Sequence, residues 1–367
     1  MHRRMVSGAM RSTPEVSRGA GTAGPEAAPL ARTPLWRRGV RNGGVIGVLA
    51  LAAILLLNGE ELPGLGRILA ELPAGVAISA SVHLPQIVLT AMAWRALLPG
   101  GERPTIGAMS KLRWFRESAN ALLPAGALVG QAAAARLLAR RGVPADTAGA
   151  TATVDLTMEA VSQFVFTLAG VGLLLAGSAE PALAGAAAVG LGLAAIGALA
   201  MLLAQRHLGP LERLLERLSQ RWPALKPDWL RELQSAVLRL HADRLALASC
   251  VLWHGAAWAL GAVEIMAVLG LLGHPVSLAD ALVVESLAQA LRNAGFMLPG
   301  ALAVQEGAII GAAALVGVPP SAALAAALVR RAREVCFALP GLLVWHRSET
   351  RGMPAPTPLP AAAKEQV

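Results

Sequence analysis

Six apolar stretches dominate this 367-residue chain, at 43–57, 76–98, 147–177, 181–204, 245–272 and 321–346. Crossing the hydrocarbon core of a bilayer takes about 20 apolar residues in a helix. All but the first, which is bounded by Arg41 and Asn58, exceed that length. Hydrophobic residues make up 55% of the chain and charged residues 15%, where an ordinary soluble domain carries about 25% charge. Too few charges remain to coat a soluble surface, and so apolar a chain is not disordered as a whole. Cys250 and Cys336 both lie in apolar runs and supply no disulfide framework. The fold class this predicts is an all-α polytopic membrane protein.

Two further apolar stretches, 119–139 and 298–317, are broken at both ends. Each opens on a proline turn (Leu123-Pro124-Ala125-Gly126; Leu298-Pro299-Gly300) and each closes on Gly-Val-Pro, at 142–144 and 317–319. Such segments read as re-entrant pairs of half-helices, because non-helical backbone at membrane depth must line protein or a water-filled cavity. The expected architecture is therefore about six full spans plus two re-entrant hairpins.

Charge distribution assigns sides. Eight arginines in residues 1–41 against Glu15 and Glu26 place the N-terminus in the cytoplasm by the positive-inside rule. The same rule assigns 99–118, with Arg103, Lys111, Arg113 and Arg116, and the segment 205–244 to that face. Residues 1–40 are expected to be a disordered basic cytoplasmic arm, 41–346 the transmembrane domain and 347–367 a cytoplasmic tail. Within 205–244, Leu211, Leu214, Leu215, Leu218 and Trp222 recur at helical spacing among basic residues. Either a helix lying on an anionic leaflet or a solvated connector fits. The pI near 11.1 calls for no nucleic acid, because the excess charge sits where topology already requires it. Trp36, Trp94, Trp114 and Trp345 flank spans, as interfacial anchors do.

The chain also repeats itself. At an offset of 175 residues and without a gap, 118–166 falls on 293–341 with 14 of 49 positions identical, six of them Ala. The other eight include Leu123-Pro124 on Leu298-Pro299, Gly142-Val143-Pro144 on Gly317-Val318-Pro319, and Glu159 on Glu334. Repeat 1 covers about 76–177 and repeat 2 about 251–346. Counting full spans makes the two copies inverted; if 276–297 crossed the membrane they would be parallel. Inverted repeats with broken helices are the arrangement of secondary transporters.

Charges inside such spans are expensive, about 2.5–3.5 kcal/mol each at a helix centre. The span 147–177 carries Asp155 and Glu159, and 321–346 carries Arg330, Arg331, Arg333 and Glu334. Asp155 and Arg330 are the same repeat position, 155 + 175 = 330, and an ion pair between them across the repeat interface is expected. Asp155, Glu159 and Gln163 with Arg330, Arg333 and Glu334 form the candidate substrate path. A purely structural ion pair is the alternative. Gln131, Gln305 and Glu306 follow the proline turns and either face the same cavity or satisfy broken backbone. Gly307 and Gly311 form a small-residue packing motif, and His83 and His254 read as packing or hydrogen-bonding residues. No hydrolase, P-loop or metal-spacing motif is present, so neither catalytic residues nor a cofactor nor a metal is expected.

The runs Ala-Asn-Ala-Leu-Leu-Pro (119–124, with Asn120), Gly-Val-Pro (142–144), Val-Asp-Leu-Thr-Met-Glu (154–159), Leu-Pro-Gly-Ala-Leu-Ala-Val-Gln-Glu-Gly (298–307) and Leu-Val-Arg-Arg-Ala-Arg-Glu (328–334) resemble the transmembrane region of lysylphosphatidylglycerol synthases. Within that flippase-like family the chain is most similar to hopanoid-biosynthesis-associated membrane proteins. The similarity covers about 40–346. It implies a bacterial inner-membrane protein that moves or handles lipids, with hopanoid or phospholipid as partner and lipid-biosynthesis enzymes as possible associates. The synthases' aminoacyl-transferase domain has no counterpart here, so synthase activity is not implied. Gln131 stands where the resemblance leads one to expect an acidic residue.

Overall fold

The computed structural model describes residues 65–123, 126–177, 228–294 and 301–350, together with the isolated positions 195, 199 and 203. The expected arm over 1–40, the span 43–57, the rest of the span 181–204, residues 205–227 of the connector 205–244, Pro124, Pro299 and the tail beyond 350 lie outside them. Among the described residues every regular element is helical. In chain order these are α1 (Leu65–Ala96), α2 (Ile106–Leu122), α3 (Gly126–Ala139), α4 (Ala145–Gly177), α5 (Asp228–Ala242), α6 (Arg244–Leu271), α7 (Leu278–Ala294), α8 (Ala301–Ala314) and α9 (Pro320–Thr350). The protein is an all-α membrane protein. Among the described residues three stretches, Ala70–Ala96, Ala145–Gly177 and Arg244–Leu271, are long and apolar enough to cross a bilayer.

The 175-residue offset carries through to the helix boundaries. Helix α3 begins at 126 and ends at 139, and α8 begins at 301 (126 + 175) and ends at 314 (139 + 175). Helix α4 begins at 145 and α9 at 320 (145 + 175); α1 ends at 96 and α6 at 271 (96 + 175). The turns before α4 and α9 share a cause. Gly142 and Gly317 both adopt positive φ, 95° and 78°, a region that side-chain-bearing residues avoid.

One expectation about these breaks needs correcting. The stretch 119–139 does not fold back on itself as two half-helices. Its first residues end α2 at Leu122, its remainder from Gly126 is α3, and the helix that pairs with α3 is the more polar α2. The second copy matches, with α7 packed on α8. The reason is periodicity. Met109, Leu112, Phe115, Ala119 and Leu122 give α2 a buried face despite its charges, and Thr105 caps its start by accepting a hydrogen bond from the Ala108 amide at 3.3 Å. Seventeen residues in α2 and fourteen in α3 make rods of about 26 and 21 Å, shorter than a hydrocarbon core of about 30 Å.

The copies interlock through α1 and α6, which are repeat equivalents and cross antiparallel. Ser79 on α1 bonds Glu264 late in α6, while Ala93 and Leu97 at the end of α1 share a hydrophobic cluster with Ala246, Leu247 and Cys250 at the start of α6. Each long helix then packs on the other copy's elements, α4 on α6 and α7, and α9 on α1 and α2. Trp94 is no interfacial anchor. It is 1% exposed, and its indole donates to Thr151 Oγ1 at 3.2 Å, tying α1 to α4.

The crossings of α4 with α7 and of α9 with α2 are close because of glycine. A Cβ on Gly170 would collide with the Ser286 side chain, and one on Gly341 with Ser118. Replacing either by valine should destabilise the fold by about 1–3 kcal/mol through overpacking, seen as a lower melting temperature in detergent. Gly307→Ala, at a site where a Cβ meets nothing within 4 Å, should leave stability unchanged or raise it by up to about 1 kcal/mol through helix propensity.

Candidate functional site

Two buried clusters of charge occupy repeat-related positions. The first is built where α2 and α4 meet the start of α6. Arg113 and Arg116 sit on the same face of α2 as Met109, Leu112 and Ala119, and this apolar face drives them inward, to 2% and 8% exposure. There they grip the two carboxylates of α4. Arg113 donates from Nη1 to Asp155 Oδ2 at 3.0 Å, from Nη2 to Glu159 Oε1 at 2.9 Å and from Nε to Glu117 Oε1 at 3.2 Å. Arg116 donates to Asp155 Oδ2 at 3.2 Å and to Glu159 Oε2 at 2.6 Å. The other Asp155 oxygen faces α6, with His254 Nε2 at 2.9 Å and the Cys250 thiol at 3.8 Å. Asp155 is fully buried, whereas the Glu159 side chain keeps 21% exposure. The rim is closed by His83, which lies between Gln86 and Glu117 and meets Phe337 edge-on.

The second cluster gathers α9, α6, α7 and α1. Arg330 Nη2 lies 2.8 Å from Glu285 Oε2, and its Nε lies 3.5 Å from Glu264 Oε1. Arg333 donates to Glu264 at 3.1 Å and to Ser79 Oγ at 3.2 Å. Beside it, Arg331 donates to Glu306 on α8 at 2.8 and 3.0 Å and to Glu334 at 2.9 Å, and Gln305 donates to Glu334 at 2.9 Å. Gln289 on α7 donates to Glu285 at 2.8 Å. Such close pairing is what permits charge in a low-dielectric interior, since an unpaired ion would carry its full desolvation cost.

The expected Asp155–Arg330 pair does not form. The two residues are equivalent in sequence but belong to different clusters, because the antiparallel crossing of α1 and α6 sets the long helices α4 and α9 on separate sides. Asp155 takes its guanidinium partners from α2 and an imidazole from α6, and Arg330 takes its anions from α6 and α7. Of the candidate path residues, Asp155 and Glu159 come together in one cluster, and Arg330, Arg333 and Glu334 in or beside the other. Gln163 is buried further along α4, where it bonds only Thr167, at 3.2 Å. Asn120 is exposed. Gln131 donates to the Ala152 carbonyl on α4, so it satisfies backbone instead of facing charge. Gly307 and Gly311 are exposed, and among the described residues nothing lies within 4 Å of where a Cβ would project, so they pack against no described helix.

Arg113 and Arg116 are interior ion-pair partners, so they do not serve as positive-inside markers for 99–118. Sequence reasoning passed over them, and with them Ser79, His254, Glu264 and Glu285. The available signal was placement on an apolar stripe: a charge at 113 or 116, in register with 109, 112 and 119, is a charge pointed at the core. Asp155, Cys250 and His254 are also the one described trio whose ligand atoms lie close enough to share a metal ion. Both guanidinium groups already on Asp155 oppose a cation there.

A family profile described as the lysylphosphatidylglycerol synthase TM region matches residues 43–341. The chain belongs to that family. No curated protein and no solved structure matches it. In this lysylphosphatidylglycerol synthase TM region protein the matched segment contains both clusters and every described repeat helix, apart from the last turns of α9.

Replacing Asp155 by Ala leaves two buried guanidinium groups sharing one carboxylate of α4, and should cost about 3–5 kcal/mol. Arg330→Ala should cost a similar amount. Because the two sit in separate clusters, a double-mutant cycle should give a coupling energy within about 0.5 kcal/mol of zero. The Asp155/Arg113 cycle, measured in the same way by detergent melting, should exceed 1 kcal/mol, roughly the lower bound for groups in one network.

Proposed function

We propose that this protein handles lipids in the bacterial inner membrane and carries their headgroups between leaflets. The observation that supports the reading most is the pairing of buried charge with short helices. Each copy brings a two-helix hairpin, too short to cross the bilayer, against a long helix whose middle is ionised. Buried charge in a lipid-facing protein is costly, and it is retained mainly where something polar must pass or bind. Membership of a family named for a lipid synthase's membrane region points the same way.

In this reading the two hairpins α2–α3 and α7–α8 are re-entrant, and about six spans are completed by 43–57 and 181–204. The copies are inverted, which the antiparallel crossing of α1 and α6 supports. The N-terminus lies in the cytoplasm. Asp155, Glu159, Arg330, Arg333 and Glu334 border the headgroup path, and Glu159 is the α4 carboxylate best placed to be reached, because its side chain keeps 21% exposure where that of Asp155 keeps none. Inversion lets one hairpin open as the other closes, as alternating access requires. A modified phospholipid or a hopanoid is the cargo, and the chain acts without catalytic chemistry of its own.

Reconstitution into proteoliposomes with a headgroup-labelled fluorescent phospholipid tests this. The full chain should speed exchange between leaflets in a headgroup-dependent way. Glu159→Gln should slow it at least tenfold while the melting temperature stays within a few degrees of wild type. Exchange no faster than in protein-free vesicles, for every headgroup tried, would instead mark the chain as a non-transporting scaffold for a lipid-modifying enzyme.

A further inference from the structure

The buried charges do not balance. The first cluster sets Arg113 and Arg116 against Glu117, Asp155 and Glu159. The second sets Arg330, Arg331 and Arg333 against Glu264, Glu285, Glu306 and Glu334. Arg292 on α7 adds a cation whose field reaches both Glu159 and Glu334. Across these described residues six guanidinium groups face seven carboxylates, one positive charge short. Neutrality in a low-dielectric interior calls for one proton, and two imidazoles, His83 and His254, touch the first cluster.

Geometry favours His83. Its Nδ1 lies 2.8 Å from Gln86 Oε1, an acceptor, so Nδ1 carries the hydrogen of a neutral ring. That leaves Nε2 as a bare lone pair, 3.5 Å from Glu117 Oε2. Two acceptors face each other there until a proton comes between them. His254 instead points Nε2 at Asp155, on which both guanidinium groups already converge, and it is fully buried. The His83–Glu117 pair is the more open, its side chains keeping 14% and 30% exposure. Around it stand Arg113 on α2, Glu159 on α4 and Glu264 on α6. From α9 come Arg333, which bonds Ser79 one turn before His83, and Glu334, one turn before Phe337. With Glu117 this surrounding is net negative. The second copy has no such pair, because the equivalent positions are Trp258 (83 + 175) and Arg292 (117 + 175), an indole and a fixed cation.

We propose that His83 and Glu117 bind one proton from the aqueous phase, and that its arrival and departure move the α2–α3 hairpin, making the protein a proton-coupled carrier. The proton forms an N–H bond at His83 Nε2, directed at Glu117 Oε2, and leaves the same way; no other bond changes. Bound, it clasps α2 to α1. Its release leaves a lone pair against a carboxylate and loosens that contact. The clasp lies where the first copy's hairpin meets the second copy's long helix. Phe337 on α9 meets the His83 ring edge-on, and its carbonyl accepts from the Trp114 indole on α2 at 2.9 Å. The assignment rests on the reading that the chain moves lipid headgroups, and it names the ion whose gradient drives them.

The full chain is reconstituted into proteoliposomes with the headgroup-labelled fluorescent phospholipid and an internal pH dye. An imposed pH difference should shift the label's steady distribution between leaflets at least twofold and carry protons with it. A protonophore should abolish the shift. His83→Gln and Glu117→Gln should each remove both the shift and the proton movement. His274→Gln, at an exposed position after α6, should behave as wild type. A shift that survives in His83→Gln, or one lost in His254→Gln alone, would overturn the site. The melting temperature of each variant in detergent separates a lost proton from a lost fold. Wild-type exchange that ignores the pH difference would overturn proton coupling and leave translocation standing. Proton movement that depends on His83, without label exchange, would leave the proton site standing and remove translocation. Absence of both would overturn both.

Discussion

Guanidinium and carboxylate groups held together inside an apolar bundle are the constraint on which the rest of this structure depends. Arg113 and Arg116 on a short helix cannot enter a low-dielectric interior alone, and neither can Asp155 and Glu159 on a long one. Meeting one another, they fix where α2 docks on α4 and how deeply its hairpin is set. The geometry leaves little slack, since both arginines contact both carboxylates. The hairpin is thus positioned by charge as much as by its apolar stripe, and sliding it by a helical turn would strand two cations.

The same constraint explains why the copies exchange partners. Antiparallel crossing of α1 and α6 brings a residue of one copy into the cluster of the other: His254 of the second copy completes Asp155, and Ser79 of the first completes the Glu264–Arg333 pair. Ser79 and His254 are themselves repeat equivalents (79 + 175 = 254). One polar position on the first helix therefore serves both clusters. The partners around it have diverged from carboxylate to guanidinium, and with them the sign of the charge that each long helix presents. A frame symmetric in backbone holds two sites of unlike chemistry.

Much of the frame was legible before any coordinates. Apolar runs give helices because a bilayer leaves backbone groups no other partner. Gly142 and Gly317 turn the chain because they adopt positive φ. The pairing of charges was less legible. Arg113 reads as a positive-inside marker and His254 as a packing or hydrogen-bonding residue with no partner named, because the identity of a buried group's partner depends on which helices adjoin, and one-dimensional spacing carries no record of that. Asp155 and Arg330 were joined on symmetry alone, and symmetry relates equivalent positions without requiring them to touch.

By itself, then, the sequence determined that the chain is a helical membrane protein, that it is built twice, where each copy breaks and which residues carry charge into its interior. These follow from local rules: hydropathy against length, proline and glycine against backbone geometry, and self-similarity at a fixed offset. Only the tertiary structure decided that the broken segments pair with the polar helices before them and that the charges divide into two separate clusters. Those outcomes rest on which faces of distant helices come within a few ångströms, and the antiparallel crossing of α1 and α6 sets that.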